Sequence, residues 1–238
     1  DHYNFLELAH YIKNNNKLFL LHNRGMGLSS KVEKPYTIED MALDAVRVMD
    51  KFGYSQFHVC GISMGGVIAQ CIASQFPEKV LSLSLLCSPG VGPEFPKTIP
   101  LSEDQIRQSY GENVEASISR TVELLTHEQA DEKVKQKIIQ IRKEHLPQVD
   151  QVVLQNNAIC EFLSEGKIEY EKIQCPTLLL TGDQDVMVSA ENSKILNSKI
   201  KYSHKEVIPR SNHLFFMEKP IDVGAYLSDF LDLVNKEL

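Results

Sequence analysis

Phe57-His58-Val59-Cys60-Gly61-Ile62-Ser63-Met64-Gly65-Gly66-Val67-Ile68-Ala69 is the stretch on which the fold turns. Four residues of strand character, Phe57–Cys60, lead into a glycine-rich turn, and an apolar helical run follows from Met64 to about Phe76. Strand, G-x-S-x-G and helix in that order are the context of a nucleophile elbow. Such a turn holds its serine in a strained backbone conformation, so the residues two positions away on either side, Gly61 and Gly65, must lack bulk. The Ser63 hydroxyl would then stand exposed above the sheet. The Met64 N–H, at a helix N-terminus, becomes a candidate oxyanion donor. A glycine-rich turn without chemistry would look the same locally, so the partners must be sought elsewhere in the chain.

Outward from the turn, strand and helix patterns alternate. Upstream, Asn4–Asn14 carries Phe5, Leu6, Leu8, Ala9 and Ile12 at helical spacing, and Lys17–Leu21 is a short, strand-like apolar run. Arg24–Gly27 is a turn, and Tyr36–Phe52 reads as a helix with Thr37 as N-cap, Asp40 three residues on and Gly53 past its end. Downstream, Val80–Cys87 is a buried strand. From about Pro89 to Tyr170 no strand pattern occurs. Gly90, Gly92, Pro93, Pro96 and Pro100 make an irregular lead-in to charged helical segments at Glu103–Tyr110, Val114–Leu125, Gln129–His145 and Gln151–Ser164. Alternation resumes with a strand at Thr177–Leu180, a helix near Ser189–Ser198, a short strand near Glu206–Ile208 and a final helix at Ile221–Val234. This order predicts an α/β fold: a mostly parallel sheet flanked by helices, with a core from 1–89 and 171–238 and an inserted helical block over 90–170.

Composition agrees. The 238 residues are 42% hydrophobic and 24% charged, with net charge −7, ordinary for a globular chain able to bury its own core. Lysine and arginine alternate with acids, as in Glu132-Lys133-Val134-Lys135, so neither a nucleic-acid face nor a polybasic membrane anchor is indicated. No apolar run approaches the roughly 18–20 residues of a membrane helix. Five widely spaced cysteines (Cys60, Cys71, Cys87, Cys160, Cys175) include no C-x-x-C pair. Three of them lie in apolar runs and read as buried free thiols, so a reducing, cytoplasmic setting is expected. No metal or organic cofactor is expected.

A serine hydroxyl needs a base, and the base an orienting acid. Thr181-Gly182-Asp183-Gln184-Asp185 follows the Thr177–Leu180 strand, where ligand and catalytic groups of parallel sheets collect. Asp185 is the candidate acid. Asp183 competes, with backbone capping of the loop as its alternative role. Arg210-Ser211-Asn212-His213-Leu214 is a polar loop between the last strand and last helix, and His213 is the candidate base. His204 also follows the acid but lies in the charged stretch Lys201–Lys205 and reads as surface.

The ordered trio Ser63, Asp185, His213 resembles the α/β-hydrolase superfamily. Asn23-Arg24-Gly25-Met26-Gly27-Leu28-Ser29 is similar to that family's R-G-x-G-x-S turn after its fourth strand. Tyr36–Asp44 is similar to the helix that follows, Gly182–Asp185 to the acid turn, and His213 with Glu218 and Pro220 to the histidine loop. The wording is nearest the enol-lactonase, aclacinomycin-type methylesterase and cofactor-free haloperoxidase branch. Residues 90–170 would then be the family's helical cap. Two positions depart from the pattern: Asn212 where the family usually has Gly, and His22 where it often has Asp.

The resemblance also implies three strands and an H-G-x-x-G-type loop, the source of the second oxyanion donor, ahead of the Asn4–Asn14 helix. One of those strands would lie between Lys17–Leu21 and Phe57–Cys60. Without it, ladder N–H and C=O groups would be buried unpaired. The expectation is that residues upstream of Asp1, or another segment, supply it. Reading Leu20-Leu21-His22-Asn23 as the oxyanion loop is disfavoured, because the R-G-x-G turn follows too soon.

Two functional classes follow. One is a serine hydrolase of a small or medium carboxylic ester or lactone, acting through an acyl-enzyme, with C–C bond hydrolysis by the same triad as an alternative. The other is a non-catalytic ligand-binding or regulatory protein on the same scaffold. Phe162, Leu214 and Phe215 are candidate pocket residues, and a monomer or homodimer is expected.

Overall fold

A computed structural model of the chain describes residues 2–12, 16–97, 101–111 and 113–237. Among the described residues four strands form one sheet: β1 (Phe57–Ile62), β2 (Val80–Leu86), β3 (Thr177–Gly182) and β4 (Ser203–Ile208). All are parallel, in the order β1-β2-β3-β4, with Gly61 beside Leu85, Leu85 beside Leu179 and Leu179 beside Lys205.

Strand side chains alternate between faces, and two separate cores result. Leu83, Leu85 and Leu179 face a core built with α2 (Ile38–Lys51), α3 (Met64–Gln75) and α8 (Glu191–Lys199). Leu86, Leu178, Leu180 and Ile208 face the other, built with α1 (Leu6–Ile12), α9 (Phe215–Glu218) and α10 (Pro220–Glu237). Burying each such leucine contributes about 1.5–3 kcal/mol. Burial on both faces explains why the strands read as unbroken apolar runs. Helix α2 starts where its cap dictates: the Thr37 hydroxyl accepts from the Asp40 N–H, and the Asp40 carboxylate accepts from the Thr37 N–H. Gly53, at φ +80°, follows its end.

Between β2 and β3 lie only helices among the described residues: α4 (Glu103–Ser109), α5 (Val114–Leu125), α6 (Glu132–Glu144) and α7 (Val149–Glu165). Helices α5 and α6 continue the second core through Val122, Leu125 and Ile138, and α7 joins the first through Ala158 and Phe162. Pro100 and Asn14 fall outside the described residues. No helix among the described residues is long and apolar enough to cross a membrane. All five cysteines are free; Cys71 and Cys87 are buried, while Cys60 is half-buried.

One element departs from expectation. Lys17–Leu21 forms no strand. A strand needs a hydrogen-bonding neighbour about 4.8 Å away, and here a cavity of about 1070 Å³ lies between this segment and the outer edge of β1, lined by Lys17–Leu21 on one side and Phe57–Ile62 on the other. Among the described residues no strand pairs with that edge.

Candidate active site

The C-terminal ends of the strands converge. Ser63 follows β1 directly and sits at φ +53°, ψ −120°, a left-handed region that costs a side-chain-bearing residue energy. It is held there because its N–H donates to the Leu86 carbonyl (2.8 Å) and its own carbonyl accepts from the Gly66 N–H (2.8 Å) as α3 begins. A Cβ on Gly61 would lie 2.2 Å from the Gly65 carbonyl oxygen, so this glycine is obligatory. The second tight point differs from expectation. A Cβ on Gly65 would meet nothing within 4 Å, whereas one on Gly66 would lie 2.3 Å from Ser88 Oγ. The crowding comes from the loop after β2, not from the turn itself. The Met64 N–H opens α3 and has no intrahelical acceptor, which leaves it available to an anion.

The three predicted residues meet. His213 Nε2 lies 3.2 Å from Ser63 Oγ, and His213 Nδ1 lies 2.9 Å from Asp185 Oδ2. The Asp185 side chain is fully buried, and His213 is 5% exposed. The second Asp185 oxygen accepts from the Met187 and Val188 N–H groups at 2.9 and 2.8 Å, which fixes the carboxylate plane. Asp183 takes the bracing role: its carboxylate accepts from the Arg210 and Ser211 N–H groups. Burial works against that charge, yet these bonds hold its pKa below the ordinary value. His204 is exposed beside Glu206.

Burial likewise disfavours a charge on His213. The Cys87 sulfur and the Asp185 carboxylate against the ring outweigh it, and the His213 pKa is raised.

Two neighbours escaped sequence reasoning. Asn212 bolts three loops together: its Oδ1 accepts from the Val186 N–H (3.1 Å) and the His213 N–H (2.8 Å), and its Nδ2 donates to the Leu124 (2.9 Å) and Thr126 (3.2 Å) carbonyls. Its position where glycine is usual was the available signal. Cys87, at φ +40° and fully buried, directly follows β2 and brings its sulfur to the His213 ring. Donor atoms of Cys87, Asp185 and His213 lie within 4.8 Å of one another, a possible metal-ligating set by residue type, though His213 and Asp185 already engage each other and Ser63.

Of the candidate pocket residues, Leu214 lines the cavity with Ser63 and Met64, and so does Phe216. Phe162 and Phe215 are buried instead in the two cores, on opposite faces of the sheet. Helical phase explains both: Phe162 faces inward from α7 toward Gly166, and Phe215, at the start of α9, is fully buried in the second core with its ring edge-on to Phe216.

The family model for the alpha/beta hydrolase fold matches residues 1–220. Monoacylglycerol lipase ABHD6 of Mus musculus is 26% identical over 196 residues, covering 78% of this chain and 57% of that protein. 3-Oxoadipate enol-lactonase 2 of Acinetobacter baylyi is 25% identical over 204 residues, covering 83% and 72%. The chain thus spans less than two thirds of the lipase it matches. Among solved structures, an esterase from Thermogutta terrifontis superposes with TM-score 0.79 at 22% identity, over 98% of this chain and 86% of that one. The enol-lactonase from Burkholderia xenovorans superposes with TM-score 0.80 at 20% identity, over 98% and 87%. These likenesses concern the fold.

Proposed function

Because the chain belongs to the α/β-hydrolase fold family, we propose that it is a serine hydrolase of small or medium carboxylic esters or lactones. The observation that carries this reading is the continuous line Ser63 Oγ–His213–Asp185, at 3.2 and 2.9 Å, with the serine on a strained elbow. Asp185 accepts from His213 Nδ1–H, which leaves Nε2 unprotonated and facing the hydroxyl. Ser63 attacks the acyl carbon as His213 takes its proton, and the same proton goes to the leaving oxygen. The Met64 N–H bonds the oxyanion; one such donor is worth roughly 10²–10³ in rate. Water, deprotonated by His213, then releases the acid from the acyl-enzyme.

Helices α4–α7 act as the cap over residues 90–170. The relatives named above as lipase and enol-lactonase support an ester or lactone substrate. Five free thiols support a reducing, cytoplasmic setting.

The test is intact-mass measurement after exposure to a fluorophosphonate probe. A single adduct on the parent protein, absent from Ser63→Ala, is expected. No adduct on a folded parent protein overturns the reading.

A further inference from the structure

Ser63, Asp185 and His213 form the line of reacting groups, and one acid close to them has no place in it. Glu218 ends α9, just past the histidine loop, and is half-buried. Its carboxylate faces the helical insertion. The His127 N–H, in the turn after α5, donates to both Glu218 oxygens at 3.2 and 3.1 Å. The Asn212 backbone N–H bears on the same carboxylate. One charge is thus shared between an N–H of the insertion and the N–H of the residue that precedes His213.

The neighbouring bonds extend this seam. The Leu124 and Thr126 carbonyls accept from Asn212 Nδ2 at 2.9 and 3.2 Å, and the Leu125 carbonyl accepts from the Leu214 N–H at 2.9 Å. Residues 124–127 of the insertion therefore each bond to the loop that carries His213 or to Glu218. The carboxylate has a fixed base: the Glu218 N–H donates to the Leu214 carbonyl at 3.0 Å, and Phe215 and Phe216 lock α9 into the second core. Burial pushes the Glu218 carboxyl above its ordinary pKa, and the N–H groups of His127 and Asn212 oppose that rise. Hydrogen bonds to an ionised acceptor are roughly twice as strong as neutral ones. Glu218 supplies the one ionised acceptor among these bonds, the others being made by neutral groups.

Catalysis is sensitive to this seam. His213 Nε2 is 3.2 Å from Ser63 Oγ, already at the long end of a hydrogen bond. A shift of the histidine loop by about 1 Å can cost on the order of 10²-fold in rate.

We propose that Glu218 is a positioning residue for His213: its carboxylate ties the His127 N–H of the helical insertion to the Asn212 N–H of the histidine loop, so that the insertion and the catalytic base are held as one unit. The inference rests on the hydrolase reading above and adds to it a residue that acts through another.

A mere anchor of the fold would cost stability and leave the turnover of folded protein alone, so the test separates the two. kcat and KM for p-nitrophenyl butyrate, and the rate of fluorophosphonate labelling, are measured well below the Tm of every variant. Glu218→Gln keeps the shape but turns an amide N–H against a backbone N–H. It should lower kcat and the labelling rate together by roughly 10–100-fold, with KM little changed. Val46→Ala, buried in the first core on the other face of the sheet, is the control: Tm should fall and kcat should not. Glu218→Gln and Asn212→Ala should be less than additive in log kcat, since both act on one loop. A spectroscopic readout needs no turnover. The downfield proton resonance of His213 Nδ1–H, bonded to Asp185, should persist in Val46→Ala and broaden or vanish in Glu218→Gln. Parental kcat in Glu218→Gln, or an equal fall of kcat in Val46→Ala, overturns the proposal. Should Glu218→Gln fail to fold, Glu218→Asp, which withdraws the charge by one methylene group, should lose kcat several-fold, and parental kcat there overturns it too. A parent protein that neither turns over esters nor takes the label would instead defeat the hydrolase reading, and the Nδ1–H resonance would still report whether Glu218 orders His213.

Discussion

The catalytic end of the sheet and the outer flank of β1 satisfy their polar groups in opposite ways. At the strand ends the acid and the side chains that brace it each have named partners. Asp185 accepts two backbone N–H groups besides His213, Asn212 makes four hydrogen bonds, and Asp183 ties the histidine loop to the end of β3. Along the flank, the edge of β1 and the Lys17–Leu21 segment face each other across a cavity, with no strand between them among the described residues. Ser63 stands where the two regions meet. It is anchored from the β2 side, by its N–H on Leu86 and by the Cys87 N–H on the Leu180 carbonyl. The geometry of the nucleophile therefore depends on one side of its strand.

Five measurements bear on this contrast. The largest effect is chemical: Ser63→Ala should lower kcat by about 10⁶ while leaving Tm nearly unchanged, since the hydroxyl makes no structural bond beyond His213. A large drop in Tm would mean that the elbow is held by the serine side chain after all. Next, Asp185→Asn should cost about 10⁴ in kcat by losing the productive imidazole tautomer. The pH profile carries the same information. His213 must be neutral to act as base and its pKa is raised, so kcat/KM should climb with pH through a midpoint above the ordinary histidine value of about 6.5. Asp185→Asn should move that midpoint down; an upward move would contradict the assignment. By linkage, the raised pKa contributes stability that is fully present below the unfolded value and is lost as pH rises through the folded one.

A stability pair compares the regions directly. Asn212→Ala removes four hydrogen bonds at the strand ends and should cost about 3 kcal/mol. Leu20→Ala on the flank, where the side chain is half-buried against the cavity, should cost about 1 kcal/mol. Equal losses of Tm would erase the contrast. The smallest effect is in hydrogen exchange. The Ser63 N–H points to β2, so strand alternation turns the Cys60 and Ile62 N–H groups outward. Those two amides should exchange faster than Val59 and Gly61; equal protection would mean that the flank is covered.

Much of this was legible in the residues, because chain order and local pattern carry it. The G-x-S-x-G turn between strand and helix, the acid after β3 and the histidine after β4 each follow from local sequence, and the fold brings them together without further specification. The alternation of strands and helices located every strand of the observed sheet. Lys17–Leu21 was misread because a strand is a property of two segments, and composition reports on one. Gly65 and Gly66 exchanged roles because the crowding atom belongs to Ser88, twenty-two residues downstream of Gly66. Phe162 and Phe215 were misplaced because an aromatic near a site is equally suited to the core, and only helical phase separates the cases. Asn212 showed in the sequence only as a departure from the usual glycine, because three of its four hydrogen-bond partners come from other segments of the chain.

His213 contacts a residue 28 positions earlier and another 150 positions earlier. The first contact closes within the β3–α8–β4 region. The second must span the whole helical insertion between β2 and β3. Loop-closure entropy makes such distant pairings late events when a chain refolds. A refolding chain can thus hold its acid–base pair long before it holds a reactive serine. The rate at which Ser63 becomes labelled after dilution from denaturant then measures assembly of the entire molecule, where circular dichroism would register helices alone.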